Sequence, residues 1–402
     1  MISRILIPLL LAILLPDLYI ERRNWKSKRK AKWTLRVLRW VLSLSMVVFT
    51  IVMAGSKNFV PDSVEILNVY LICLGLLVVP KFVYVSCAVV GRVFARLRHS
   101  TTNWGKAVGY LLALFCIYVL AYGWLFGANK LTVNRVEIYS PDLPEAFDGY
   151  RIVQFTDAHV GSFVGSRAHF LERAVDTIMA QHADAIVFTG DLQNVQPAEL
   201  YPCREQLSRL NARDGMFSVL GNHDYSMYFN GPEAIKIANE REMVARQRQF
   251  GWDLLLNEHR VVRRGADSIV IAGTENDGRP PFPSRADLSK ALKGVGKGTF
   301  VVLLQHDPSA WERNILPHSH AQLTLSGHTH GGQISLFGLR PTSISFKQDK
   351  GLYTQGQRSL FVSSGLGGVV PFRFGVPPEV VVITLRRGKP ARSRGIYVRS
   401  LS

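Results

Sequence analysis

Hydrophobic residues follow two rhythms along this chain. Through residue 127 they come in long runs, Ile5 to Ile20, Trp40 to Ala54, Ile66 to Val90 and Ala107 to Gly127, parted by polar and basic stretches. A helix crosses the hydrocarbon core of a bilayer with about 20 apolar residues. The third and fourth runs meet that length and the first two reach it with their flanks, which predicts transmembrane helices near residues 5–20, 37–55, 66–90 and 107–127. Trp40, Tyr122 and Trp124 fall where interfacial aromatics belong. Pro16 and Asp17 close the first run ahead of Glu21 without a small-residue cleavage pattern, so it reads as an uncleaved anchor rather than a secretory signal. Lys81 follows Pro80 inside the third run and is read as a kink with a snorkelling amine, in preference to a functional intramembrane charge.

From Val136 the rhythm shortens. Arg151 to Thr156, Ala185 to Thr189, Met216 to Leu220, Ser268 to Gly273, Thr299 to Gln305 and Gln322 to Ser326 read as strands, and Ser359 to Ser363 and Glu379 to Leu385 as two more. Ser166 to Gln181, with Phe170, Ala174, Val175 and Ile178 on one face, Pro232 to Phe250 and Arg285 to Leu292 read as helices. This alternation predicts an α/β domain with a mixed sheet or two stacked sheets and helices outside. The chain divides into a transmembrane region (1–128), a linker (129–147), a folded domain (148–386) and a basic tail (387–402) that is solvated or rests on anionic lipid.

Charge sharpens the membrane reading. The 402 residues hold 48 Lys and Arg against 30 Asp and Glu, a net +18, and 47% are hydrophobic, which excludes a mainly disordered chain. Residues 1–130 hold 17 Lys and Arg against 4 Asp and Glu, so +13 of the excess lies there, in two blocks, Arg22 to Lys32 and Arg92 to Lys106, between apolar runs. Cationic loops stay in the cytoplasm, which sends Gly55 to Glu65 outward and makes everything after about Asn129 extracytoplasmic. Cations placed in membrane loops are poorly placed to grip phosphates of a nucleic acid, so no nucleic-acid partner is expected. Three of the four cysteines, Cys73, Cys87 and Cys116, lie in apolar runs, and only Cys203 lies outside them, which leaves no disulfide framework.

The chemistry sits at the strand ends. The first strand is followed by Asp157-Ala158-His159, the second by Gly190-Asp191, the third by Gly221-Asn222-His223-Asp224, and later ones by His306 and by Gly327-His328-Thr329-His330-Gly331-Gly332. Open α/β sheets bind ligands at that edge. Taken singly each piece is weak, because a His after a strand is usually a hydrogen-bonded loop residue; five pieces in one order are not. Oxygen and imidazole donors without thiolates suit Mn²⁺, Fe or Zn²⁺, and glycines let the backbone approach a metal or phosphate closely.

The ordered motifs Asp-x-His, Gly-Asp, Gly-Asn-His-Asp, His and Gly-His-x-His resemble those of the calcineurin-like metallophosphoesterases over residues 148 to 386, and Gly327 to Gln333 with Ser364-Gly365-Leu366-Gly367 is similar to the membrane-anchored branch. The resemblance implies a four-layer sandwich of two stacked mixed β-sheets between helices, behind a bundle of about four transmembrane helices. It implies two divalent ions, Mn²⁺ first among the candidates, one held by Asp157, His159 and His330, the other by Asn222, His306 and His328, with Asp191 bridging. His223 would be the acid for the leaving group. The position three after the bridging Asp, often a carboxylate in the family, is Asn194, so Asp224 is the remaining carboxylate that could assist His223; Val195 in place of an Arg disfavours phosphoprotein substrates.

The expected activity is hydrolysis of phosphomono- or diester or pyrophosphate bonds by attack of a metal-bound hydroxide, two ions having the charge to stabilise it. An anchor at the bilayer favours a lipid-linked or envelope substrate; relatives in this branch include a hydrolase of a UDP-linked lipid A precursor, a substrate that would lie on the cytoplasmic side, opposite to the topology read above. The alternative is a non-catalytic membrane protein that uses the fold to bind a phosphorylated ligand or partner; it predicts erosion of the ligand set, and all seven positions are present.

Overall fold

Where apolar residues run long the chain is helical. The structure, a computed structural model, describes residues 2–26, 33–55, 64–163 and 165–389. Parts of the first basic block (27–32) and of the outward loop (56–63), and the end of the basic tail (390–402), lie outside the described residues. Two compact units form, 1–125 and 126–402.

The first unit holds helices α1 (Leu6–Lys26), α2 (Trp33–Ala54), α3 (Val64–Cys73), α4 (Val79–Leu97) and α5 (Gly105–Leu125). A π-helical turn at Leu74–Val78 carries α3 into α4. Three helices among the described residues are long and apolar enough to cross a membrane: Trp33–Ala54, Glu65–Leu97 and Gly105–Asn129. Helix α1 forms where expected but carries Asp17, Glu21, Arg22 and Arg23 in its second half. Helices α4 and α5 meet at a glycine seam. A Cβ on Gly105 would lie 2.1 Å from the Cys87 carbonyl oxygen and one on Gly109 2.9 Å from that of Tyr84, so only this Gly-x-x-x-Gly face lets the backbones approach. Lys81 does not snorkel. Its Nζ donates to Asp17 Oδ2 at 2.7 Å and to Ser43 Oγ at 2.7 Å, because a cation among apolar helices is far costlier alone than paired.

The second unit is built on twelve strands: β1 (Thr132–Ser140), β2 (Arg151–Phe155), β3 (Ala185–Phe188), β4 (Met216–Ser218), β5 (Asp253–Leu254), β6 (Glu258–Arg264), β7 (Asp267–Gly273), β8 (Phe300–Leu304), β9 (Leu323–Ser326), β10 (Gly351–Gln355), β11 (Arg358–Val362) and β12 (Glu379–Arg387). They form two six-stranded sheets, ordered β1-β12-β2-β3-β4-β5 and β10-β11-β9-β8-β7-β6. Both are mixed: β2, β3, β4 and β5 run parallel and β12 antiparallel to β2, while β7, β8, β9 and β11 run parallel with antiparallel β6 and β10 at the edges.

Period-two alternation decides which side chains go where. Ile152, Val187, Phe217, Ile271, Val302, Leu325 and Ile383 form one core between the sheets. Val153, Phe155, Ile186 and Phe188 point the other way, onto α6 (Ala168–Met179), α7 (Arg204–Ser208) and α8 (Glu233–Gln249). Val270, Val301 and Leu303 face Trp311 and Ile315 on the far side. Strands buried on both faces read as unbroken apolar runs, which is why β2, β3, β8 and β9 stand out in the sequence.

One expectation is corrected. Residues 129–147 are not a free linker, because β1 lies within them and pairs in parallel with β12 from Thr132↔Glu379 to Ser140↔Arg387. As a sheet-edge strand it exposes Arg135 and Glu137, and that polarity conceals it.

Candidate metal centre

The parallel strands deliver their C-terminal ends to one edge. Asp157 and His159 follow β2, Asp191 follows β3, Asn222 and His223 follow β4, His306 follows β8, and His328 and His330 follow β9. Sharp backbone turns aim them. Asp157 (φ 49°), His159 (φ 46°), Asp191 (φ 63°), His328 (φ 74°) and His330 (φ 52°) all adopt the left-handed conformation, rare outside glycine and clustered at functional sites where other structure enforces it. Close approach does the rest: a Cβ on Gly221 would lie 2.2 Å from Asp191 Oδ1, and one on Gly327 2.3 Å from Asp157 Oδ2.

The seven expected ligand residues come together. Donor atoms of Asp157, His159 and His330 lie within 4.8 Å of one another, as do those of Asp191, His306 and His328, and those of His159, Asp191 and His223. His306 Nε2 lies 3.1 Å from Asp191 Oδ2, 3.2 Å from Asn222 Oδ1 and 3.3 Å from His328 Nδ1. Its Nδ1 sits 2.7 Å from the Thr189 carbonyl, which can only accept, so Nδ1 carries the hydrogen and Nε2 faces the cluster. The Asn222 Nδ2 donates to Tyr228 Oη at 3.0 Å, which turns Oδ1 inward. His159 Nε2 lies 3.7 Å from Asp191 Oδ2, and His330 Nε2 3.5 Å from Asp157 Oδ1.

Electrostatics favour a cation here. Burial drives His159 down to about 3 and His328 down to about 4, and holds His330 well below its usual value, so all three imidazoles are neutral with lone pairs to give. Burial likewise raises the Asp157 carboxyl to about 7. Burial opposes charge on Asp191 and His306 too, yet each overrides it for the other: His306, with His223, holds Asp191 well below the carboxylate range, and Asp191 lifts His306 to about 10. Both ring nitrogens of His159 and Nδ1 of His330 are buried and make no hydrogen bond among the described residues. Uncharged imidazoles left without partners beside two carboxylates are a donor set that fits divalent metal.

Asp224 and His223 do different things from one another. Both Asp224 oxygens are taken by backbone N–H groups, of Asp191 (2.9 Å), Leu192 (2.9 Å), Gln193 (3.3 Å) and Gly221 (2.9 Å), so this carboxylate ties the second and third motifs together and does not orient His223. His223 Nδ1 instead bonds the main-chain carbonyl of Asn194 at 2.6 Å, and the main-chain N–H of His223 donates to Asp191 Oδ1 at 2.8 Å. A backbone oxygen thus does the work for which a carboxylate at 194 was sought.

Four contributors had no motif to announce them. Glu199 accepts the N–H groups of Asn194 (2.6 Å), Val195 (2.8 Å) and Gln196 (3.1 Å), shaping the loop that holds His223. Arg373, fully buried, donates to the His330 carbonyl at 3.2 Å and to that of Gly367, behind the first cluster. Phe282 and Phe346 flank the His328 ring at 5.0 and 5.4 Å.

Sequence comparison agrees with this geometry. Residues 3–128 match the family described as "Probable Calcineurin-like phosphoesterase, transmembrane domain", and residues 150–332 match "Calcineurin-like phosphoesterase". The transmembrane protein with metallophosphoesterase domain of Danio rerio is 31% identical, with 93% of this chain and 87% of that protein covered. The metallophosphoesterase YkuE of Bacillus subtilis is 31% identical over 64% of this chain and 86% of its own. The UDP-2,3-diacylglucosamine pyrophosphatase LpxG of Chlamydia muridarum is 26% identical over 68% and 95%. Motifs, strand ends and likeness over nearly the whole length, membrane helices included, converge: the chain belongs to the calcineurin-like phosphoesterases and carries their transmembrane domain in front of the phosphoesterase unit.

Proposed function

We propose that this protein is a dinuclear metal-dependent hydrolase of phosphoester or pyrophosphate bonds in a lipid-linked or envelope substrate. The observation that carries the reading is the convergence of neutral, partnerless imidazoles on two carboxylates at the sheet edge. Asp157, His159 and His330 would hold one ion and Asn222, His306 and His328 the other, with Asp191 placed to serve both; Mn²⁺, Fe and Zn²⁺ all suit these donors. Bound there, a pair of divalent ions lowers the pKa of a water and neutralises phosphoryl oxygens.

The chain's own groups supply the remainder. Because His223 Nδ1 is committed to the Asn194 carbonyl, Nε2 is the nitrogen that can deliver a proton to the departing oxygen. The Asp224 carboxylate keeps the Asp191 and Gly221 turns in register. A transmembrane domain concentrates the site where lipid-borne phosphates are, and the likeness to a protein named UDP-2,3-diacylglucosamine pyrophosphatase supports a lipid-linked phosphate as the substrate class, though not that cytoplasmic-side substrate itself. The basic loop blocks orient the phosphoesterase unit to the extracytoplasmic side.

The test uses the full chain in detergent with Mn²⁺ and bis-p-nitrophenyl phosphate. Asp191→Asn loses about 100-fold or more in rate, the scale of removing one charge-stabilising group. Equal rates in parent and variant would refute hydrolysis at this site and leave a phosphate-binding role.

A further inference from the structure

Beyond the metal centre, one surface of the phosphoesterase unit breaks the usual rule for exposed apolar side chains. The three most exposed large hydrophobic residues among those described in that unit, Phe337 (97%), Ile344 (90%) and Leu339 (76%), fall within eight residues of chain. Scattered single hydrophobics are normal on a surface; a group rimmed by polar residues marks an interaction site.

This group is built rather than slack. Leu336 and Leu339 exchange backbone hydrogen bonds of 3.0 and 2.9 Å, closing a two-residue turn with Phe337 (φ 52°) and Gly338 (φ 83°) at its tip. A phenylalanine in the left-handed region is a strained choice for a tip that glycine or asparagine would suit better. Behind the turn, Arg340 grips Asp349 with two bonds of 2.7 and 2.9 Å, and Thr342 Oγ1 donates to the same carboxylate at 3.1 Å. Asp349 is buried, so the anchor is rigid and turns the apolar tip outward. The same loop ends on Phe346, whose ring packs against His328 of the metal centre.

Only six residues, 126–131, separate the end of α5 from the start of β1, about 20 Å at full extension, so the bilayer is always within reach of this unit. We infer that the Phe337–Ile344 loop enters the interfacial region of the lipid bilayer and presents a lipid-borne phosphoester to the centre at its base; the presentation half rests on the hydrolase reading above, the insertion half does not. Lys347, just past the tip, is engaged by Glu312 at 2.9 Å, so what the loop offers the bilayer is its apolar side chains.

The test places the photo-reactive residue p-benzoylphenylalanine at 337 in the full chain, reconstituted in vesicles of dioleoylphosphatidylcholine and dioleoylphosphatidylglycerol, and reads adducts by mass spectrometry after irradiation. A lipid adduct at 337, absent from a control at Ile235 on α8, is expected. A protein adduct, which would indicate a second copy of the chain on this loop, or no adduct at all, overturns insertion. In the same vesicles, the triple variant Phe337→Ser, Leu339→Ser, Ile344→Ser should cleave bis-p-nitrophenyl phosphate at a rate within about twofold of the parent. It should cleave dioleoylglycerol p-nitrophenyl phosphate at least about tenfold more slowly, since withdrawing even one of the three apolar side chains from lipid is on that scale. Equal losses on both esters, or a parent that cleaves the soluble ester and not the lipid one, overturn presentation. A parent inert on both esters refutes the hydrolase reading and presentation with it, while the adduct still decides insertion.

Discussion

Two clusters of buried ionisable groups, one in each unit, invite comparison because they solve the same electrostatic problem in opposite ways. Among the membrane helices, Asp17 is fully buried and its charge is met by cations: Oδ2 accepts from Lys81 Nζ at 2.7 Å and from the Ser43 hydroxyl, and Oδ1, which accepts no hydrogen bond among the described residues, lies 3.2 Å from Arg39 Nε in an ion pair. Glu21, one turn along α1, meets Arg36 at 2.7 Å and Arg39 as well. At the sheet edge of the second unit, carboxylates and imidazoles are just as buried, yet the His159 ring finds no hydrogen-bond partner among the described residues. A cluster whose charges are all answered by protein holds helices together. One whose donors are left over has what a ligand of positive charge needs.

The comparison breaks most visibly if the membrane cluster is not structural. Lys81→Met leaves Asp17 with the Ser43 hydroxyl and, as its one cation among the described residues, Arg39, and breaking a buried ion pair by removing one partner costs about 3–5 kcal/mol. The expected result is a lower unfolding temperature and less folded protein in detergent, with Asp17→Leu added to Lys81→Met recovering most of the loss. A single variant as stable as the parent would mean that the pair contributes nothing to holding α1 against the third apolar stretch.

The metal centre should behave conversely. Ligand binding stabilises a fold by about 2.7 kcal/mol at a hundred times its dissociation constant, so Mn²⁺ should raise the unfolding temperature by several degrees and EDTA should reverse it. His159→Gln should abolish that gain while leaving the EDTA-treated protein within about 1 kcal/mol of its parent, since no protein hydrogen bond is lost with the imidazole. A large loss in EDTA would place His159 among structural groups, and an undiminished metal response would remove it from the ligands.

How much of this was legible beforehand depended on distance along the chain and on burial. Strands β2, β3, β8 and β9 announced themselves because both faces are buried, and the ligand motifs because each is a local turn after such a strand. Strands β1, β6 and β10 did not: β6 alternates Val262 with exposed Arg263 and partly exposed Arg264 at a sheet edge, which reads as loop. Nor did the pairings that span the sequence. Asp17 and Lys81 are 64 residues apart, and nothing in either neighbourhood names the other. The orienting carbonyl of Asn194 was invisible for a different reason, since a main-chain oxygen is the same whatever residue carries it.

The second unit also holds a paired cluster of its own, which separates the effect of burial from that of the unit. Glu379, at the start of β12, accepts from Lys350 Nζ at 3.2 Å, the Ser364 N–H at 2.7 Å, the Ser363 hydroxyl at 3.2 Å and Asn134 Nδ2 at 3.2 Å. Burial disfavours its charge, but Lys350 and these donors win and hold the carboxyl below its usual value. A carboxyl lowered by folding contributes stability that is fully present above the unfolded value of about 4.3 and lost as pH falls through the folded one. Lys350→Met removes the cation and leaves a buried carboxylate short of a partner, a cost of about 1–3 kcal/mol at pH 7. Without Lys350 the carboxyl titrates higher, so the deficit should narrow as pH falls through the unfolded value of about 4.3 and on through the lower folded one, below which the acid is neutral in folded and unfolded chains alike. Thermal unfolding of the two proteins in EDTA across that range reads the gap directly. A gap that stays constant with pH would show that Lys350 acts by packing its stem against Gly331 and not by its charge, and Glu379 would then join the groups whose hydrogen bonds alone suffice.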